Sequence, residues 1–292
     1  MKCGMIAIIG RANVGKSTLL NRLIGQKIAI VGSKPQTTRT RILGILTRHD
    51  VQMLFLDTPG IHAGRSRLNR RMVQAALDAL GEADVCLYLV DGAEPAPPSD
   101  APILDRIREA GIPTIAVVNK IDLFKKERMI PLLDRLSREA PFVEIVPVSA
   151  LTGENVERLV EVIPPYLPEG SALFPEDQIT DVPMRTLAAE LIREKILEKT
   201  RQEIPHVVAV VLDRYEEDPE KGLAKIHATI YVERESQKGI VIGKQGTLLK
   251  AVGQEARLEI ERASGMHVYL ELWVKVMKGW RDDERSLDEL RY

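Results

Sequence analysis

From Met1 to about Pro168, short apolar runs alternate with longer amphipathic stretches, the pattern of strands buried on both faces and helices that bury one. Met5–Ile9, Thr40–Thr47, Val51–Asp57, Asp84–Val90, Pro113–Asn119 and Phe142–Pro147 read as strands. Only Arg48, His49 and Asp50 separate the second of these from the third, too few for a crossover. That pair is therefore expected to be antiparallel and the others parallel. The prediction for residues 1–168 is an α/β domain, a six-stranded mostly parallel sheet with helices on both faces.

The pattern then breaks at Ile163-Pro164-Pro165-Tyr166-Leu167-Pro168-Glu169-Gly170, and regular periodicity resumes only near Val182, which marks 169–181 as a linker. Beyond it come a helix over Pro183–Thr200, strands over Val207–Tyr215 and Leu223–Val232, and a short helix over Glu235–Ile242. A longer helix over Thr247–Ser264 and a strand over His267–Val276 follow. This is an α+β domain spanning 182–281, with 282–292 as a tail; no internal repeat is visible.

Composition narrows the setting. Among 292 residues, 45% hydrophobic, the longest apolar stretches are strand-length, so no bilayer-spanning segment is expected. The N-terminus runs into a strand without a cleavage pattern, which predicts a cytoplasmic protein. Cys3 and Cys86 sit in apolar segments without metal-ligand spacing and read as reduced core thiols. Net charge is −1, so nucleic acid can be held only by a local patch.

The chemistry lies at the ends of the predicted strands. Gly10-Arg11-Ala12-Asn13-Val14-Gly15-Lys16-Ser17-Thr18 fits G-x-x-x-x-G-K-[ST] between a strand and a helix. Its glycines let successive N–H groups turn toward a phosphate at the helix N-terminus. Lys16 supplies charge to the β- and γ-phosphates, and the Ser17 hydroxyl suits Mg²⁺. Asp57-Thr58-Pro59-Gly60 ends another strand, bringing a carboxylate to the Mg²⁺ shell and the Gly60 N–H to the γ-phosphate. Asn119-Lys120-Ile121-Asp122 selects the base, because the Asp122 carboxylate accepts from guanine N1–H and the 2-amino group, which adenine lacks. Lys120 would lie along the base and Asn119 tie the loops, while backbone N–H groups of Ser149-Ala150-Leu151 reach guanine O6. These motifs argue against a small-molecule kinase.

Four motifs in this order resemble the translation-factor-related GTPases, with GTP/GDP and Mg²⁺ as ligands. The resemblance implies a second box within Ser33-Lys34-Pro35-Gln36-Thr37-Thr38-Arg39-Thr40, where Thr38, or else Thr37, joins Ser17 and Asp57 around Mg²⁺. Lys16 and Thr38 are then the catalytic residues. Where Ras-like switches place a water-orienting Gln after the Asp-x-x-Gly box, this chain has Ile61, which predicts slow hydrolysis. His62 as a base, or Arg39, Arg65, Arg67, Arg70 or Arg71 as a stabilising cation, has no further support.

In the second domain, Gly243-Lys244-Gln245-Gly246 joins two helices, and the element order resembles a type II KH module. Such a turn clamps a single-stranded backbone because glycines let phosphates approach. The expected RNA contacts are Lys238, Ile240, Ile242, Gly243, Lys244, Gln245, Gly246 and Lys250, with Leu248, Leu249, Val252 and Ala256 lining the helix pair and its groove. Lys275, Lys278 and Arg281 could extend the basic track. Together with Gln36–Arg39, Asp57–His62 and Leu272–Val276, the combination resembles the Era family of bacterial GTPases. That resemblance implies binding to the 3′ end of 16S rRNA, a role in 30S ribosomal subunit maturation, a monomeric state and peripheral association with the inner membrane.

Overall fold

The computed structural model describes the chain except for residues 33, 35, 36, 62–65, 94–99, 124–128, 140 and 202. In the first unit, β1 (Lys2–Gly10), β2 (Ile42–Arg48), β3 (Val51–Asp57), β4 (Val85–Asp91), β5 (Thr114–Asn119) and β6 (Glu144–Pro147) form one sheet in the order β2-β3-β1-β4-β5-β6. β2 and β3 are antiparallel, as their short connection requires, and the other pairs are parallel. β2 starts at Ile42 rather than Thr40 because Ile42 pairs with Asp57, the last residue of β3.

Five helices accompany the sheet: α1 (Lys16–Ile24), α2 (Arg67–Glu82), α3 (Ala101–Ala110), α4 (Met129–Glu139) and α5 (Val156–Val162). Strand alternation assigns them to faces. Leu43 and Ile45 of β2 join a core cluster with Ala79 of α2, whereas Gly44 between them lies against Leu20 and Ile24 of α1. A Cβ at Gly44 would come within 2.6 Å of the Leu20 side chain, so a larger residue there would push aside the ends of Leu20 and Ile24 of α1.

Residues 169–181 are not a free linker. Their backbone bridges Lys2 through Glu169 and Gly44 through Thr180, and the Ile45 N–H donates to Ile179. The buried Gln52 side chain accepts from the N–H groups of Leu173 and Phe174 at 2.7 and 3.0 Å. An edge strand leaves unpaired backbone groups, and this segment takes up two of those of β2, the Ile45 N–H and the Leu43 carbonyl.

The second unit contains α6 (Met184–Lys199), α7 (Ile204–Val207), β7 (Ala209–Asp218), β8 (Leu223–Val232), α8 (Glu235–Ile242), α9 (Thr247–Ser264), β9 (His267–Val276) and α10 (Glu284–Glu289). β8 lies between antiparallel β7 and parallel β9. The predicted order holds, with α7 as an addition that delays β7 to Ala209. The stretch read as a tail is folded: Leu287 is fully buried, and the equally buried Trp280 beside it donates its indole N–H to the Val207 carbonyl at 3.0 Å.

Residues Ile30–Thr37 and Arg65–Arg70 group with this second unit. Ile30 enters its core, the Val31 N–H donates to Glu194 Oε1 at 2.8 Å, and Arg193 donates to the Thr37 carbonyl. Those contacts account for two charged residues buried in α6, Arg193 and Glu194; Lys195 beside them, also buried, pairs with Glu194 and Glu198. Burial opposes the Arg193 charge, but Glu190 beside it, together with Tyr292 and Glu194, holds its pKa above the usual arginine value.

Candidate functional site

The loop between β1 and α1 takes backbone conformations that its residue types permit. Gly10, Gly15 and Asn13 all have positive φ, at 159, 100 and 65°. Gly15 has a second reason to be glycine: a Cβ there would sit 2.2 Å from the Asn119 amide nitrogen. Gly60 also approaches this loop closely, since a Cβ on it would lie 2.6 Å from Ala12 Cα. Within the cradle the Lys16 ammonium donates to the carbonyls of Gly10 and Arg11 at 3.1 and 2.8 Å. The Arg11 side chain turns away to pair with buried Asp100 at 3.6 Å, leaving its backbone to the loop. The Thr58 hydroxyl donates to the Ile8 carbonyl at 2.8 Å and so braces the turn that follows Asp57. Thr18 follows in the first turn of α1 and is partly buried, as is Ala12 in the loop.

Three oxygens converge beside Lys16. Ser17 Oγ lies 2.7 Å from Thr38 Oγ1 and 2.6 Å from Asp57 Oδ2, and Thr38 Oγ1 is 3.5 Å from the same carboxylate oxygen. Thr37 instead donates to the Lys34 carbonyl. Of the two threonines, the geometry therefore selects Thr38; Ser33, Pro35 and Gln36 of that loop lie outside the described residues, as do His62 and Arg65. Asp57 Oδ1 is fully buried without a hydrogen-bond partner, an arrangement whose energetic penalty a cation would remove. Hard oxygen donors in this grouping fit Mg²⁺, with Ser17, Thr38 and Asp57 as the residues that would hold it.

Burial sets the protonation of the pair. It pushes the Asp57 carboxyl up to about 6, against the opposing pull of Lys16, Ser17, Thr38 and the Thr58 N–H. It brings Lys16 down to about 8, against the Asp57 carboxylate. A cation takes only the ionised carboxylate, and phosphates favour only the ammonium. Affinity for Mg·GTP is thus expected to be level between about pH 6 and pH 8 and to fall on either side, approaching about tenfold per unit. Titrating a fluorescent GTP analogue across pH checks this; Asp57→Asn should keep the alkaline limb and lose its own share of the acid one.

At the other end, β5 delivers Asn119 into the gap between two loops. Its amide donates to the Val14 carbonyl at 2.8 Å and accepts the Ala150 N–H at 2.9 Å, tying the phosphate loop to the loop after β6. Lys120, with φ of 66°, pairs with Asp91 at 2.6 Å. Asp122 is exposed on a 3₁₀ turn, and the buried Ser149 hydroxyl donates to its Oδ1 at 2.5 Å. Leu151 projects into solvent.

In the second unit a groove of about 500 Å³ runs between α9 and β9. Gly246, Leu249, Lys250, Gly253, Gln254, Arg257, Leu270 and Leu272 line it. Of the RNA contacts read from sequence, Gly246 and Lys250 line this groove. Lys244, Gln245 and Ile240 are exposed on the turn and the end of α8, and Lys238, Ile242 and Gly243 are partly buried beside them. Val252 and Ala256 are fully buried in the core and do not line the groove, because they occupy the inner stripe of α9. Gly253, Gln254 and Arg257 were missed, although they continue the i, i+3, i+4 stripe from Gly246 and Lys250. Lys275 alternates with the groove-lining side of β9 and faces away, and Arg281 is held by Glu233 at 2.7 Å.

A phosphate cradle with a guanine-type loop, followed by a type II KH fold, defines a P-loop GTPase that carries a KH domain. A family model described as 50S ribosome-binding GTPase matches residues 5–120, and a KH domain model matches 203–281. The chain is 48% identical to GTPase Era of Syntrophus aciditrophicus strain SB, over all of this chain and 95% of that protein. It is 49% identical to GTPase Era of Geobacter metallireducens, over all of this chain and 98% of that protein. Two crystal structures align at TM-scores of 0.95, each covering 99% of this chain and 98% of the other. One is an Aquifex aeolicus Era tyrosine-to-alanine variant bound to GDP and aluminium fluoride, 44% identical. The other is Era in complex with MgGDPNP and nucleotides 1506–1542 of 16S ribosomal RNA, 45% identical. The chain belongs to the Era family of GTPases.

Proposed function

We propose that this chain is a slow GTP-hydrolysing switch whose KH groove takes the single-stranded 3′ end of 16S rRNA during maturation of the 30S subunit. The observation that carries the reading is the pairing, in one chain, of the Ser17–Thr38–Asp57 cluster with the α9–β9 groove. Thr38 belongs to the cluster, and its neighbour Thr37 gives its carbonyl to Arg193 of α6, so one peptide bond joins the nucleotide-sensing residue to the KH-bearing unit. Slow turnover is supported by Ile61, whose side chain packs on the core cluster around Ile9 and Leu80 and has no group with which to orient water. Of the arginines nearby, Arg67 pairs with Glu284 at 3.5 Å.

Family membership extends the reading to a monomer in the cytoplasm that visits the 30S subunit and the face of the inner membrane. Among the described residues no helix is long and apolar enough to cross a membrane, so any such association would be peripheral.

The test is linkage. An RNA of the 16S 3′-end sequence is expected to bind the protein at least about tenfold more tightly with a GTP analogue than with GDP, and to raise GTP-analogue affinity over GDP by the same factor. Equal RNA affinity in both nucleotide states, measured by anisotropy, would reject the switch.

A further inference from the structure

Ser149 to Glu154 form the loop that leads from β6 towards α5, and their N–H groups are almost all committed. Ser149 donates to the Glu154 carbonyl at 3.0 Å and Gly153 to the Ser149 carbonyl at 2.8 Å. Ala150 donates to Asn119 Oδ1 at 2.9 Å, Thr152 to Ser149 Oγ at 3.1 Å and Glu154 to Thr152 Oγ1 at 3.3 Å. Among the described residues the Leu151 N–H has no partner. It lies two residues from Ser149, whose hydroxyl is bonded to Asp122.

Arg22 of α1 belongs to none of the GTPase motifs, yet it grips this loop. Its Nε donates to the Ala150 carbonyl at 3.2 Å, and its Nη2 donates to the Leu151 carbonyl. A guanidinium holds two acceptors in one fixed fork, unlike the single ammonium of lysine. Gly153, with φ of 91°, brings its backbone alongside: a Cβ there would sit 3.7 Å from the Arg22 side chain. In a planar trans peptide the C=O and N–H point opposite ways. Anchoring the Ala150 carbonyl to Arg22 therefore turns the Leu151 N–H away from α1.

We infer that Arg22 is a positioning residue for base recognition, which holds the Ala150 and Leu151 carbonyls so that the uncommitted Leu151 N–H meets guanine O6. Guanine presents O6 next to the N1–H that Asp122 accepts, so one donor beside that carboxylate completes the edge. A donor fixed before binding loses less conformational freedom when the base arrives. Arg22 also makes α1, which opens on Lys16 under the phosphates, the support for the far end of the nucleotide. The inference rests on the guanine-site reading above.

The experiment compares GDP with 6-thioguanosine diphosphate, which keeps the N1–H and the 2-amino group but offers sulfur, a weaker acceptor, at position 6. Competition against a fluorescent nucleotide gives Kd for wild type, Arg22→Ala and Arg22→Lys. Arg22→Ala is expected to weaken GDP about tenfold and the thio analogue by less than about threefold, with Arg22→Lys recovering part of the GDP affinity through one carbonyl. Arg22 is exposed, so the variants should keep the wild-type fold, checked by circular dichroism. Equal weakening of both nucleotides, or no weakening of GDP, overturns the inference. A wild type that fails to prefer GDP over ADP overturns the guanine-site reading, and the inference with it.

Discussion

An Asp122→Asn variant is expected to bind GTP about a hundredfold more weakly and to gain a comparable factor for xanthosine triphosphate, because hydrogen bonds to a charged group contribute about 1.5–3 kcal/mol each. In the proposed site the carboxylate would accept from both guanine N1–H and the 2-amino group; a carboxamide would accept from only one and point its own NH₂ at the other. Xanthine carries a carbonyl where guanine carries the amine, so the amide donor that repels GTP finds an acceptor. The surroundings favour a clean exchange. Asp122 is exposed on its 3₁₀ turn, and its bond from Ser149 Oγ can be taken over by the amide oxygen. Asn119, which holds the neighbouring loops through Val14 and Ala150, is untouched. Competition titrations with GTP and xanthosine triphosphate measure both changes; GTP affinity equal to wild type would remove Asp122 from base recognition.

Much of this site was legible because its chemistry is local. The P-loop requires a strand, a turn with glycines and a helix in immediate succession, and Gly10–Thr18 contains all of that information. The ends of β8, α8, α9 and β9 matched the pattern to the residue, since turn-forming stretches and glycines such as Gly222, Gly243, Gly246 and Gly265 separate them at positive φ. What stayed hidden depends on contacts between distant segments. The burial of Arg193 and Glu194 has no sign in the helical pattern, because it depends on Val31 and Thr37, more than 150 residues away, whose backbone groups they hold. Residues 169–181 looked like a linker because covering a strand edge needs backbone bonds rather than side-chain periodicity. Arg22 had no motif to mark it, and its partners are backbone carbonyls 128 and 129 residues away. Gln254 and Arg257 share a helical stripe with Lys250, a spacing already present in the sequence.

The structure also separates two glycines that the motif treats alike, and so sharpens the test of the RNA groove. Gly246→Asp is expected to weaken binding to single-stranded 16S 3′-end RNA about ten- to a hundredfold while leaving GTP affinity unchanged, since one carboxylate would face the phosphates that the proposed turn would admit. A Cβ on Gly246 meets nothing within 4 Å, and its φ of 77° is one that Asp and Asn adopt more readily than most residues. Gly246 also precedes the first turn of α9, a place where an acidic side chain suits the helix, so loss of RNA binding would not reflect loss of the helix. Gly243 is different. A Cβ there would lie 2.8 Å from Leu248 Cβ and 2.9 Å from the Leu248 backbone nitrogen, so Gly243→Asp should deform the turn as well as repel phosphate. Gly246→Asn separates charge from shape: it should retain most of the RNA affinity that Gly246→Asp loses, and raising salt should narrow the gap between them. If RNA binds Gly246→Asp as it binds wild type, the strand does not pass this turn, and the groove beside Lys250 and Arg257 is not its path.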